Sequence, residues 1–84
     1  MPTISIFQGI SIVMYLRDKE HNPPHIHAYY GNEAASFYIS TGEIYDGYFP
    51  NKQMQLVKQF ILNNKQELLE MWDTEIYKKL KGVN

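Results

Sequence analysis

The chain has 84 residues, 44% of them apolar and 20% charged, a balance that excludes a disordered chain and fits a single small domain. It contains no cysteine, which excludes disulfides, thiol catalysis and cysteine-based zinc fingers. The net charge of −1 disfavours a broadly basic nucleic-acid binder, no apolar run approaches the ~18 residues of a membrane span, and Met1 does not open a basic-then-apolar signal pattern.

A domain of this size buries only about 60% of its unfolded surface, so support from a second copy or a small protein partner is expected. The hydrophobic period changes once. Residues 3–49 read with period two, as strands, and residues 51–80 read with period near 3.6, as helices.

In the first strand Ile4 and Ile6 alternate with Thr3, Ser5 and Phe7; in the second Ile10, Ile12, Met14 and Leu16 alternate with Ser11, Val13, Tyr15 and Arg17. A three-residue loop, Phe7-Gln8-Gly9, brings the two apolar faces into phase, with Ile6 opposite Ile10 and Ile4 opposite Ile12. Gly31-Asn32 predicts a two-residue hairpin that pairs Tyr30 with Glu33, Ala28 with Ala35 and Ile26 with Phe37. On the other face it pairs His27 with Ser36 and His25 with Tyr38. Thr41-Gly42 predicts a third turn with Ile39 opposite Ile44 and Tyr38 opposite Tyr45, so His25, Tyr38 and Tyr45 form one row.

Pro50 and Asn51 open a helix with an apolar stripe of Met54, Leu56, Val57, Phe60 and Ile61, closed by Asn63-Asn64. Asn64 and Glu67 have the spacing of a capping box for a second helix, whose buried stripe is Leu68, Leu69, Trp72 and Ile76. Lys78, Lys79 and Lys81 fall at its C-terminal end, where cations suit the dipole. The fold class is α+β: an antiparallel meander of about five strands over 1–49, covered on one face by a helical hairpin over 50–80, all in one domain, 1–84. The histidine face of the sheet looks outward or into an interface.

All three histidines fall between His21 and His27, in the run His21-Asn22-Pro23-Pro24-His25-Ile26-His27. His25 and His27 project from one face of a strand, ~7 Å apart along it. Pro23-Pro24 stiffens the approach and lowers the entropy cost of holding both rings. Three functional readings fit. A metal ion takes His25 and His27 as a half-site, with His21 or Asp46 as a third ligand. Acid–base chemistry, such as RNA cleavage, uses His25 and His27 as the catalytic pair and Arg17 or Lys19 to stabilise charge. Recognition uses the histidines with Tyr29, Tyr38 and Tyr45 as an amphipathic patch for a protein partner or unstacked bases. The structural alternative is that the histidines hydrogen-bond the loop and start the strand. Acidic residues on the sheet half, Asp18, Glu20, Glu33, Glu43 and Asp46, oppose a nucleic-acid backbone.

Met1-Pro2-Thr3-Ile4-Ser5, the run from His21 to Ala28 with Tyr30-Gly31, Thr41-Gly42-Glu43-Ile44 with Gly47 and Pro50, and Glu67-Leu68-Leu69 with Trp72 together resemble a bacterial domain-of-unknown-function family. Its members are small stand-alone proteins with an H-x-P-P-H-x-H signature, and the resemblance spans about residues 1 to 76. The signature falls on His21, Pro23, Pro24, His25, His27, Tyr30 and Gly31. The resemblance implies a gene pair with a second small domain of unknown function, proposed as a toxin–antitoxin-like module; some relatives are labelled transcriptional regulators. Family members often carry arginines early in the first helix, where this chain has Lys52 and Lys58.

The expectation is therefore a small cytoplasmic protein, the toxin-like half of a two-protein module. His25 and His27 are its active pair, Arg17 is an anion anchor, and His21, Tyr29, Tyr38 and Tyr45 complete the binding set. The alternatives are a non-enzymatic binding module or regulator acting through protein partners, and a small metal-binding protein using His25 and His27. No cofactor is specified by the residues.

Overall fold

The computed structural model describes residues 3–15 and 23–83. Five strands form one antiparallel sheet in chain order: β1 (Thr3–Phe7), β2 (Ile10–Val13), β3 (His25–Tyr30), β4 (Glu33–Tyr38) and β5 (Ile44–Gly47). Two helices follow, α1 (Asn51–Asn63) and α2 (Lys65–Thr74). This is the α+β meander with a C-terminal helical pair that the change of hydrophobic period predicts.

The core lies between one sheet face and the helices. Ile10, Ile12, Ala28, Ile26, Ala35 and Phe37 supply the sheet side; Val57, Phe60, Ile61, Leu68, Met71 and Trp72 supply the helix side. Phe7 stacks on Phe60 with ring centroids 5.3 Å apart. Burying each large apolar side chain contributes about 1.5–3 kcal/mol, so this layer is the main source of stability.

The first hairpin differs from expectation. Its loop is Gln8-Gly9 alone, and Phe7 faces Ile10, Ile6 faces Ser11 and Ser5 faces Ile12. Gln8 and Gly9 have φ of 48° and 79°, the two positive values of a turn that matches strand twist. Phase is recovered by a bulge, not by a longer loop. Thr3 faces Val13, so Ile4 is the extra residue, and it reaches the core fully buried. Phe7 enters the core in place of Ile6, which is 66% exposed.

The Gly31-Asn32 hairpin has the predicted register, from Tyr30 opposite Glu33 to His25 opposite Tyr38. The third hairpin does not. Tyr38 and Glu43 close the loop, Phe37 faces Ile44, and Ser36 faces Asp46, so Tyr45 is the extra residue of a second bulge. Ile39 is drawn away from Ile44 because its N–H donates to Pro24 O, prolonging the β3–β4 ladder.

Asn64 caps the wrong helix for a capping box. Its side-chain amide donates to Phe60 O, satisfying the end of α1 and leaving α2 without a side-chain cap. The second helix stops at Thr74, before the expected 80, with Glu75 in the left-handed conformation (φ 59°). Ile76 is consequently exposed, Met71 takes the buried place, and Lys78, Lys79 and Lys81 lie on an extended tail. That tail returns to the sheet. Leu80 N–H donates to Ile4 O at 2.8 Å, and Gln8 Nε2 donates to Val83 O at 3.0 Å. Both residue numbers rise together, so the tail runs parallel to β1 along its outer edge. Burial, and then the charge of Glu75, raise the Tyr77 hydroxyl above its ordinary pKa.

Gly47 (φ 87°) sits where a Cβ would come 2.4 Å from Ala34 O and 2.8 Å from Ala35 Cα, whereas a Cβ on Gly31 (φ 57°) meets nothing within 4 Å. Gly47→Ala is expected to cost at least about 2 kcal/mol, through clash plus strain, and Gly31→Ala only about 1 kcal/mol, through strain alone. Urea unfolding of both variants checks the order, and equal losses contradict it.

Candidate functional site

The face of the sheet opposite the main core carries the odd-numbered residues of β2 and β3. One cross-strand row runs Val13, His27, Ser36, Asp46; the next runs Ser11, Tyr29, Ala34. The period of two thus places His25, His27 and Tyr29 on one side of β3, as the sequence predicts.

The two expected imidazoles lie side by side, with centroids 5.1 Å apart and planes at 72°. Their surroundings differ. His25 is 1% exposed. Its Nδ1–H donates to Pro23 O at 2.9 Å, across the rigid turn that precedes the strand. Because a carbonyl oxygen can only accept, this bond fixes a proton on Nδ1. Besides His27, the ring touches Tyr45 at 5.3 Å and Trp72 of α2 at 5.0 Å. His27 is half-buried, shares a 3.1 Å hydrogen bond with Ser36 Oγ through Nδ1, and meets Tyr15 edge-on at 4.6 Å.

A ladder of rings results: Tyr15, His27, His25, Tyr45, Tyr38. Its last contact, Tyr45 to Tyr38, is 4.8 Å. Edge-to-face ring pairs contribute about 0.5–1.5 kcal/mol beyond area burial, so the ladder holds its own geometry. The row expected for His25, Tyr38 and Tyr45 therefore exists as ring contacts, although the bulge changes the backbone register beneath it. Tyr29 joins through its hydroxyl, 2.6 Å from that of Tyr15. Every buried side-chain nitrogen or oxygen among the described residues has a hydrogen-bond partner.

Arg17 and His21, the expected anion anchor and additional binding residue, lie outside the described residues. Among the described residues no three His, Asp or Glu side chains gather as a metal ion requires, and Asp46 does not complete such a set with His25 and His27. Sequence reasoning assigned no functional role to Tyr15, Ser36 or Trp72. Tyr15 and Ser36 were legible as odd-face neighbours of His27; Trp72 reads as core from its helical spacing, and its contact with His25 depends on tertiary packing.

A cleft of about 200 Å³ opens beside His27, lined also by Tyr29, Ala34, Ser36, Asp46 and Gly47. A larger hollow of about 530 Å³ at the α1–α2 turn is lined by Leu62, Lys65 and Leu69 and by no member of the ring ladder. The described lysines sit elsewhere: Lys52, Lys58 and Lys65 on the helices, Lys78, Lys79 and Lys81 on the tail. Lys58 pairs with Glu43 at 2.8 Å, and Lys65 Nζ donates to Ser40 O.

The molecule is thus a small α+β domain whose outer sheet face is a hydrogen-bonded aromatic–imidazole surface. Residues 9–73 match the family described as domain of unknown function DUF4160, and the chain belongs to that family. No curated protein is matched. No solved structure is matched either.

Removing the His25 ring empties a site enclosed by three other rings. His25→Ala is expected to cost about 2–4 kcal/mol, against about 1 kcal/mol or less for His27→Ala. Chemical unfolding followed by Trp72 fluorescence measures both; a smaller loss at His25 than at His27 contradicts the assignment of His25 as a packing hub.

Proposed function

We propose that this protein is a non-enzymatic binding module, one half of a two-protein bacterial pair working in the cytoplasm. It meets its small protein partner through the outer face of the sheet. The carrying observation is the division of labour between the two histidines. His25 is enclosed and spends Nδ1 on Pro23 O, so it organises the ring ladder. Among the described residues, the rings this face exposes include those of Tyr29 and Tyr45, each residue 37% exposed, and the partly exposed His27. Rigid aromatic side chains with polar tips suit protein contacts, because they bury large area with little rotamer entropy to lose.

Charge favours protein over nucleic acid. Gripping phosphate requires lysine or arginine on the contact face, and none of the described lysines lines the His27 cleft. Among the described residues no helix is long and apolar enough to cross a membrane.

A second reading rests on the 5.1 Å separation of the imidazoles. In it the protein is the toxin-like member, and His25 and His27 act on RNA, one accepting a proton and the other donating one.

Co-expression with the protein encoded beside it is expected to give a stable complex in size-exclusion chromatography. Tyr29→Glu and Tyr45→Glu are each expected to weaken it at least about tenfold, because each buries an unpaired charge, while circular dichroism stays unchanged. No complex, or one indifferent to both variants, overturns the proposal. RNA cleavage by the purified protein that is lost in His27→Ala replaces it with the second reading.

A further inference from the structure

The cleft beside His27 has a defined chemistry. Strands β3 and β5 lie two spacings apart, roughly 10 Å, with β4 between them. Opposite Tyr29 on β4 stands Ala34, and next to Asp46 on β5 stands Gly47. A methyl group at Ala34, where a larger side chain would stand, leaves the hollow of about 200 Å³. Tyr29 and His27 border it from β3, Asp46 borders it from β5, and Ser36 lies between them in register.

Asp46 is exposed, and among the described residues its carboxylate makes no hydrogen bond or ion pair. Among the described residues no lysine or arginine lines the cleft. The site therefore offers one carboxylate beside a tyrosine ring whose π face is negative. An anion is repelled by this set. A flat cation with forked donors is suited to it: the carboxylate accepts two parallel N–H bonds, and the cation's apolar face lies on the tyrosine ring. An ammonium group gains the charge but neither the fork nor the flat stacking.

We infer that the cleft between Tyr29 and Asp46 receives an arginine side chain of the protein that covers the outer sheet face. The inference rests on the reading of that face as a protein-binding surface and supplies its anchor. Strands hold both walls, and the close approach of Gly47 to Ala34 fixes Asp46 against β4, so little ordering is required on binding.

The test is a titration of the whole protein with N-acetyl-arginine amide, followed by amide NMR shifts. Saturable shifts are expected at Tyr29, Ser36, Asp46 and Gly47, with a Kd of roughly millimolar order. The citrulline analogue, isosteric but uncharged, is expected to give none, and the lysine analogue to bind more weakly. Asp46→Asn is expected to lower the affinity at least about fivefold with its melting temperature unchanged. No saturable shift in the cleft at about 100 mM probe, equal binding by Asp46→Asn, or the same amides moving with inorganic phosphate each overturns the inference. In the two-protein complex the failures separate. A complex broken by Tyr29→Glu but not by Asp46→Asn removes the arginine anchor and keeps the surface. A complex broken by neither removes both.

Discussion

The imidazole of His25 brings the start of β3, β5 and α2 together at one point beside the main core. It begins β3, accepts the rigid approach of Pro23-Pro24 through a hydrogen bond to Pro23 O, and touches a ring from β5 and a ring from α2. A residue with only aliphatic carbon at this place would fill the space but leave the proline carbonyl without its donor. A longer polar residue would satisfy the carbonyl but lose the edge contacts with Tyr45 and Trp72. Imidazole is flat, compact and able to donate from one nitrogen while its ring carbons pack. The chemistry of a histidine is thus used here for architecture, and the position of its neighbour His27 follows from it.

This separates two properties that a sequence motif merges. Two histidines two residues apart on a strand share a face by geometry, and that much is legible without a structure. Their exposure is not. It depends on what α2 brings to the start of β3, and Trp72 reads along its own helix only as one more core residue. The same limit explains the register errors. Period-two patterning identifies strands well, but it treats each strand as unbroken. Ile4 and Tyr45 are both extra residues at bulges, and a bulge reverses the face of everything beyond it. Assuming no bulge, the only way to align Ile4 and Ile6 with Ile10 and Ile12 is a longer loop. The structure keeps the tight turn and spends one residue on the bulge, which buries the larger Phe7 and leaves Ile6 outside. The Gly31-Asn32 hairpin has no such ambiguity, because apolar pairs occur on one face at every second position on both strands; its register follows directly.

The helices show where local signals give way to packing. Asn64 has the right spacing from Glu67 for an N-terminal capping box, yet its amide serves the preceding helix. With one residue between two helices, the end of the first and the start of the second compete for the same side chain. Termination of α2 at Thr74 is likewise invisible in the hydrophobic period, which Ile76 continues in the bare sequence. Beyond Thr74 the chain turns through Glu75 in a left-handed conformation, and Leu80 and Val83 pack along β1. Had the helix continued, these residues would have pointed away from the sheet, and the edge of β1 would lie open.

That edge bears on the proposed docking surface. An open strand edge is a general docking place in small sheets, since its unpaired N–H and C=O groups accept another strand. Here the tail already occupies part of it: Leu80 N–H takes the carbonyl of Ile4, the residue the bulge displaces from the ladder, and Gly82 presses so closely on Phe7 that a Cβ there would lie 2.4 Å from its side chain. Both β1 and the tail fall outside the region matched to the family, residues 9–73. Among the described residues the tail lies along part of that edge and the two helices fill one face of the sheet, so the proposed protein-binding surface falls on the other face, that of β2 to β5. Its side chains, Tyr15, His27, Tyr29 and Tyr45, come from the matched region.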